Sequence, residues 1–277
     1  FDAPIANGAD TSRSGAPGSM LRDFFQNSRR VRFVTQAPDG IKPAITAFWR
    51  QGTETEGGPS DIVGKVSIAL DEASVAAAPL LNFSTETPDA TAANLQDDPT
   101  LNPIEDARAH RAMIRGNLIV IGWSYTWNGP LARYTDEANY EFWIRRSLDG
   151  GQNWLDPQPI SRIGDTSINV KEPRLVKTPG IGAFDPAAFI VAWGTETNVY
   201  EGIEDPRDLD VRITYTLDQG ASFSKTTFVG ASISSEFESQ LRPSPDASRV
   251  HAVWMRESTE GVEAVFATGR TLDLPQS

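Results

Sequence analysis

Two stretches of this chain gather oxygen-rich side chains closely enough to hold a cation. Asp97-Asp98 with Asn102, Glu105 and Asp106 form one, and Glu204-Asp205 with Asp208 and Asp210 form the other. Carboxylate and amide oxygens at this density are the ligands a hard divalent ion such as Ca²⁺ takes. Neither spacing matches a defined calcium loop. Solvated acidic loops are therefore the expectation, with Asp97, Asp98 and Asp106 as weak calcium candidates and no other cofactor implied. His110 and His251 lie far apart in sequence without metal-ligand spacing, and the chain has no Cys for thiolate ligands or disulfides.

A second arrangement of reactive types recurs. One copy reads Ser147-Leu148-Asp149-Gly150-Gly151-Gln152-Asn153-Trp154 and the other Thr216-Leu217-Asp218-Gln219-Gly220-Ala221-Ser222-Phe223. Both fit hydroxyl-x-Asp-x-Gly-x-x-aromatic. An Asp carboxylate can accept backbone N–H groups of its own turn, and the hydroxyl two residues earlier can tie down the incoming strand. Gly at the fifth position tolerates positive φ, and the closing aromatic can tuck beneath the loop. Asp149 and Asp218 thus read as turn builders rather than catalysts.

The elements that carry these turns also repeat. Apolar runs end in Trp49, Trp123, Trp193 and Trp254, and each is answered by Leu70-Asp71, Leu148-Asp149, Leu217-Asp218 or Leu272-Asp273. Between them lie short runs rich in β-branched and aromatic residues, such as Leu118-Ile119-Val120-Ile121 and Val211-Arg212-Ile213-Thr214-Tyr215. Their composition predicts strands, and the Gly, Pro, Asn and Asp clusters between them predict turns. The Ala-rich stretch from Asp71 to Leu81 reads equally as helix or as a packed loop, and one short helical turn is expected around Met20 to Phe25. Cutting at the repeat gives modules 29–98, 99–168, 169–235 and 236–277 behind an extended arm of residues 1–28. Repeats of this size with three or four short strands predict an all-β propeller, each Trp buried between neighbouring blades. A β-sandwich would have no reason to repeat Trp and Leu-Asp four times in one order. The short fourth module suits a propeller completed by the arm, by another chain or by further sequence.

The turn motif resembles the Asp-box, or BNR repeat, of the sialidase-like β-propellers. Ser147, Asp149, Gly151 and Trp154, with Thr216, Asp218, Gly220 and Phe223, match that box; Asp71 and Asp273 mark degenerate copies. The resemblance implies that the boxes are structural turns at the blade periphery, remote from a central site. It also implies what an active site would need: three arginines for a substrate carboxylate, a Tyr nucleophile paired with Glu, and an Asp as acid/base. Arg suits the carboxylate role through its planar donor fork. On the innermost strand of each module, Arg32, Arg174 and Arg242 are the matching positions, with Arg108 or Arg111 in the second and with Glu172 and Glu238 close by. The family's Arg-Ile-Pro signature is absent, and Glu172-Pro173-Arg174-Leu175 and Leu241-Arg242-Pro243 echo it only loosely.

The 277 residues carry a net charge of −12, which repels phosphate backbones and anionic membranes, so neither nucleic acid nor membrane insertion is expected. The chain opens Phe1-Asp2-Ala3-Pro4 rather than with Met, which favours a processed secreted, periplasmic or cell-surface protein. The long loops 124–140 and 194–210 carry Tyr125, Trp127, Tyr134 and Tyr200, aromatic types enriched in binding surfaces. The expected role is accordingly a non-catalytic module for recognition or scaffolding within a larger protein or assembly, with a protein or glycan partner. The alternative is a sialidase-type glycoside hydrolase acting on acidic sugars.

Overall fold

The computed structural model describes residues 27–36, 44–52, 60–68, 72–84, 105–177, 187–197, 210–230, 234–244 and 248–270. They form fifteen strands and two short helices. The first module holds β1 (Asn27–Gln36), β2 (Ala44–Gly52), β3 (Ser60–Ile68), helix α1 (Glu72–Ala77) and β4 (Leu81–Asn82). The second holds β5 (Asp106–Arg115), β6 (Leu118–Thr126), helix α2 (Gly129–Tyr134), β7 (Glu141–Ser147) and β8 (Gln158–Pro159). The third holds β9 (Ile168–Lys177), β10 (Phe189–Thr197), β11 (Val211–Thr216) and β12 (Thr227–Gly230), and the fourth β13 (Glu236–Pro243), β14 (Arg249–Ser258) and β15 (Gly261–Arg270). Each module is an antiparallel meander in chain order, and the first two meet through a single parallel pairing of Ser60 with Asp106. No helix among the described residues is long and apolar enough to cross a membrane.

The ambiguous Ala-rich stretch is helical over Glu72–Ala77. The turn expected around Met20 to Phe25 lies outside the described residues. Segment 124–140, expected as one loop, is instead divided. Strand β6 runs on through Thr126, and Asn128 then caps α2 by accepting from the Leu131 N–H at 3.0 Å, with Pro130 in the first turn.

The apolar side chains pack between consecutive meanders. Trp123 is buried with Phe48, Ile62 and Phe83 of the first module, and Trp193 with Val120, Phe142 and Ile144 of the second. Trp254 is buried with Val176, Ile190 and Tyr215 of the third. An indole on the second strand of each of these modules thus reaches back to the module before it, and burying one ring of this size is worth several kcal/mol.

Opposite every one of these tryptophans the first strand of the module bulges. Arg29 pairs with Arg50 and Arg32 with Phe48, so Arg30 and Val31 together oppose Trp49. By the same register Ala109-His110 oppose Trp123, Glu172-Pro173 oppose Trp193, and Glu238-Ser239 oppose Trp254. The first residue of each bulge is left-handed, with φ of 53°, 53°, 51° and 54° at Arg30, Ala109, Glu172 and Glu238. Such a conformation costs a side-chain-bearing residue about 1–2 kcal/mol, and it recurs here at one equivalent place in four strands. Pro173 is admitted to β9 because a bulge needs no ladder donor there.

Candidate functional site

The bulges set which side chains line up across the modules. Two residues beyond the left-handed position stand Arg32, Arg111, Arg174 and Gln240, each paired with the residue just before a Trp. The register thus selects Arg111 for this level in the second module. In the fourth, Arg242 pairs with His251, two residues further along, and Gln240 takes the place equivalent to the other arginines.

The guanidiniums act on one another. Burial first, then the charges of Arg174 and Arg32, push Arg111 down to about 9, so it stays charged at neutral pH. Arg174 is lowered by burial, with Arg32 and Arg242 adding to this and Glu172 and Glu238 opposing it. Among the described residues no carboxylate lies in ion-pair contact with Arg32 or Arg111; Arg174 meets Glu172 at the long distance of 3.9 Å. Much of the remaining hydrogen bonding goes to backbone. Arg111 donates to the His110 carbonyl at 2.8 Å, Arg174 to those of Glu172 and Pro173, and Arg242 to that of Leu241. A cluster of cations this thinly neutralised, in a chain of net charge −12, has donors suited to an oxyanion.

On the other side of the bulges lies a cavity of about 440 Å³. Arg29, Arg108 and Lys171, which precede the bulges in three modules, line it together with Arg30, Arg50, His110, Glu172 and Glu196. Its wall is a buried network. Asp106 accepts from Arg50 at 2.8 Å, from the Ser60 hydroxyl and from Tyr140 Oη at 2.6 Å. The Arg108 guanidinium stacks 3.7 Å from the centre of the Tyr140 ring and pairs with Glu196 at 3.0 Å, and Lys171 meets the same carboxylate at 3.5 Å. Burial above all, then Asp106, drives the Tyr140 hydroxyl far up, against the influence of Arg108, so it is a donor and not a phenolate. His110 gives Nε2 to the Arg30 carbonyl at 2.8 Å, which joins the first strands of two modules.

The remaining expected residues fall in several places. Asp106 does not lie on a solvated loop: it is fully buried, and its oxygens accept from Arg50, Ser60 and Tyr140. Asp97 and Asp98 lie outside the described residues, as does Tyr200. No group of three or more His, Asp or Glu suited to a metal occurs among the described residues. Tyr125 is not a surface aromatic, because β6 carries it into the core, where its hydroxyl donates to Glu105 at 2.6 Å. Trp127 and Tyr134 are 54% and 59% exposed, Trp127 just beyond the end of β6 and Tyr134 at the end of α2.

The two turn motifs fold as their chemistry requires, at the opposite end of the strands. Ser147 Oγ donates to Asp149 at 2.8 Å and accepts from the Gly151 N–H at 2.8 Å, while Asp149 accepts from Gln152 and Asn153. Thr216, Asp218, Gly220 and Ser222 repeat the pattern. Bonds led by the Asn153 N–H hold Asp149 at about 2. Asp218 also lies at about 2, where desolvation is outweighed by bonds from Ser222 and Thr216. Both turns seat on the module before. Gly151 lies against Val66 and Trp154 packs at a tilt on Phe83 with ring centres 4.8 Å apart, while Arg146 and Gln158 donate to the carbonyls of Gln219 and Gly220. Asp71 and Asp273 lie outside the described residues.

No protein-family model and no curated protein matches the sequence. Among solved structures the chain is similar to a Hadza microbial sialidase, with TM-score 0.53 and 13% identity over 93% of this chain and 47% of that one. A GH93 α-L-arabinofuranosidase of Fusarium graminearum gives TM-score 0.45 and 8% identity over 84% and 63% of the two chains. The NanB sialidase of Streptococcus pneumoniae gives 0.41 and 11% over 87% and 31%. The first likeness establishes a mostly β, sialidase-like fold. The chain spans about half the length of that sialidase.

Proposed function

We propose that this chain is the carboxylate-binding part of a sialidase-type propeller glycoside hydrolase acting on an acidic sugar. On this reading each meander is a blade, the two intact turns are Asp-boxes, and the first strand of each blade lines a central axis. One observation carries the proposal: Arg32, Arg111 and Arg174 occupy equivalent positions on three first strands and perturb one another's charge. Two or three guanidinium forks around one carboxylate give a strong, oriented grip. Glu172 and Glu238, at equivalent bulge positions in the third and fourth modules, both act on Arg174 and are the carboxylates this reading assigns to proton transfer.

Activity is tested with fluorogenic sialosides and uronides. Arg174→Ala should lower kcat/KM about tenfold to hundredfold, the worth of charge-assisted hydrogen bonds to a substrate carboxylate. Wild-type turnover no greater than that of Arg174→Ala would sink the hydrolase reading. A recognition role without cleavage has one observation in its favour: the hydroxyls of Tyr125 and Tyr140 are buried donors to Glu105 and Asp106, not exposed nucleophiles. Sugar binding that depends on Arg111 and Arg174, with no turnover, is the outcome that reading requires.

A further inference from the structure

The cavity on the other side of the bulges is not accounted for by a single carboxylate. Its lining holds five cations, Arg29, Arg30, Arg50, Arg108 and Lys171, against three carboxylates, Asp106, Glu172 and Glu196. His110 adds no charge, because burial, against its bond to the Arg30 carbonyl, holds it down to about 3. Two of the carboxylates are already spent within the wall. Asp106 is fully buried against Arg50, and Glu196 is shared by Arg108 and Lys171. Glu172 leans towards Arg174 instead. Arg29 and Arg30 are left with no carboxylate in ion-pair contact among the described residues.

This excess is built into the strands. Arg29, Arg108 and Lys171 share one register position, just before the bulge, as Arg32, Arg111 and Arg174 share another just after it. The two levels are separated by two residues of the partner strand, so they lie about 7 Å apart along the sheet. Arg108 is held in place from below by the Tyr140 ring and from the side by Glu196. A fixed cation beside unpaired ones, in an open cavity of about 440 Å³, offers the charge and the room that an anion needs.

We propose that Arg29, Arg30, Arg108 and Lys171 form a second anion subsite, which takes a carboxylate or sulfate on the sugar next to the one gripped by Arg32, Arg111 and Arg174. The inference rests on the acidic-sugar reading and narrows it: the ligand is an oligosaccharide with anions on adjacent residues, not one with a single terminal acid. Glu196 then serves as the wall that spaces Arg108 from Lys171, and the exposed Arg30 stands at the mouth.

Calorimetric titration of the intact chain tests this with a monomeric uronic acid, its disaccharide, and a uronide whose neighbouring sugar carries a sulfate ester. The wild type should bind the disaccharide about tenfold more tightly than the monomer, the gain from one added charge-assisted contact. In Arg29→Gln/Arg30→Asn that gap should close, with Asn keeping the left-handed backbone at position 30. Lys171→Gln provides an independent variant on another strand and should narrow the gap as well. Tighter binding of the sulfated ligand than of the disaccharide identifies sulfate as the second anion; the reverse identifies carboxylate. Equal affinity for monomer and disaccharide in the wild type, or a gap that survives both variants, overturns the subsite. Failure of the underlying reading looks different. The monomer would then bind no better to the wild type than to Arg111→Gln, whether or not the disaccharide preference responds to Arg29 and Arg30.

Discussion

His110 sits among three cations, Arg30, Arg32 and Arg111, and each opposes its protonation. Burial is the larger cause, and together they hold the imidazole at about 3 against an ordinary 6.5. The folded pKa lies below the unfolded one, so between those values the unfolded chain binds a proton that the folded chain refuses. Stability contributed by the neutral ring is therefore complete above pH 6.5 and is lost as pH falls towards 3, by at most about 1.4 kcal/mol per unit. Urea denaturation of the wild type should give a lower midpoint at pH 5 than at pH 7.5. His110→Gln, whose amide can still donate to the Arg30 carbonyl, should lose most of that difference. An unchanged pH dependence in the variant would show that His110 is not its source. The same residue explains why the cluster can be cationic without being self-destructive: a neutral ring, not a further charge, joins the strands that carry Arg30 and Arg111.

At the scale of the element, the turns after β7 and β11 lock modules together as well as reversing the chain. A methyl group on Gly151, at φ 94°, would overlap Val66 of the first module. Gly151→Ala should therefore cost about 1–3 kcal/mol through strain and overpacking. Gly220→Ala, at φ 84°, would bring the new carbon to 2.9 Å from Arg146 Cδ and 3.0 Å from the Phe189 ring, a milder overlap than the 2.2 Å to Val66 at Gly151, and should cost less. Equal denaturation midpoints for the two variants would contradict the seating described for Gly151. The turns themselves could be read from sequence because every bond they make is local. The first strands could not be read to the residue. A bulge adds one residue to one strand only, so counting by twos along β5 cannot choose between Arg108 and Arg111, nor along β13 between Gln240 and Arg242. Composition also could not separate Tyr125 from Trp127: they are neighbours of like type, and only the end of β6 divides core from surface.

Across the whole molecule, the Trp repeat gave the meander order, while the pairing of Arg50 with Asp106 spans 56 residues and leaves no local trace. The meanders are not equally covered. Val253, Val262 and Phe266 on β14 and β15 remain 42%, 54% and 63% exposed, whereas Phe189 to Trp193 of β10 are buried throughout. Amide exchange should consequently be slowest in β6 and β10 and markedly faster in β15; uniform protection across the modules would refute this gradient. The reach of Trp123, Trp193, Trp254 and each intact turn back to the module before also has a consequence for synthesis. Val66 and Phe83 are synthesised before Gly151 and Trp154, and Arg146 before Gly220. Each seat thus precedes the turn that fills it, an order that favours closing the modules in one direction along the chain.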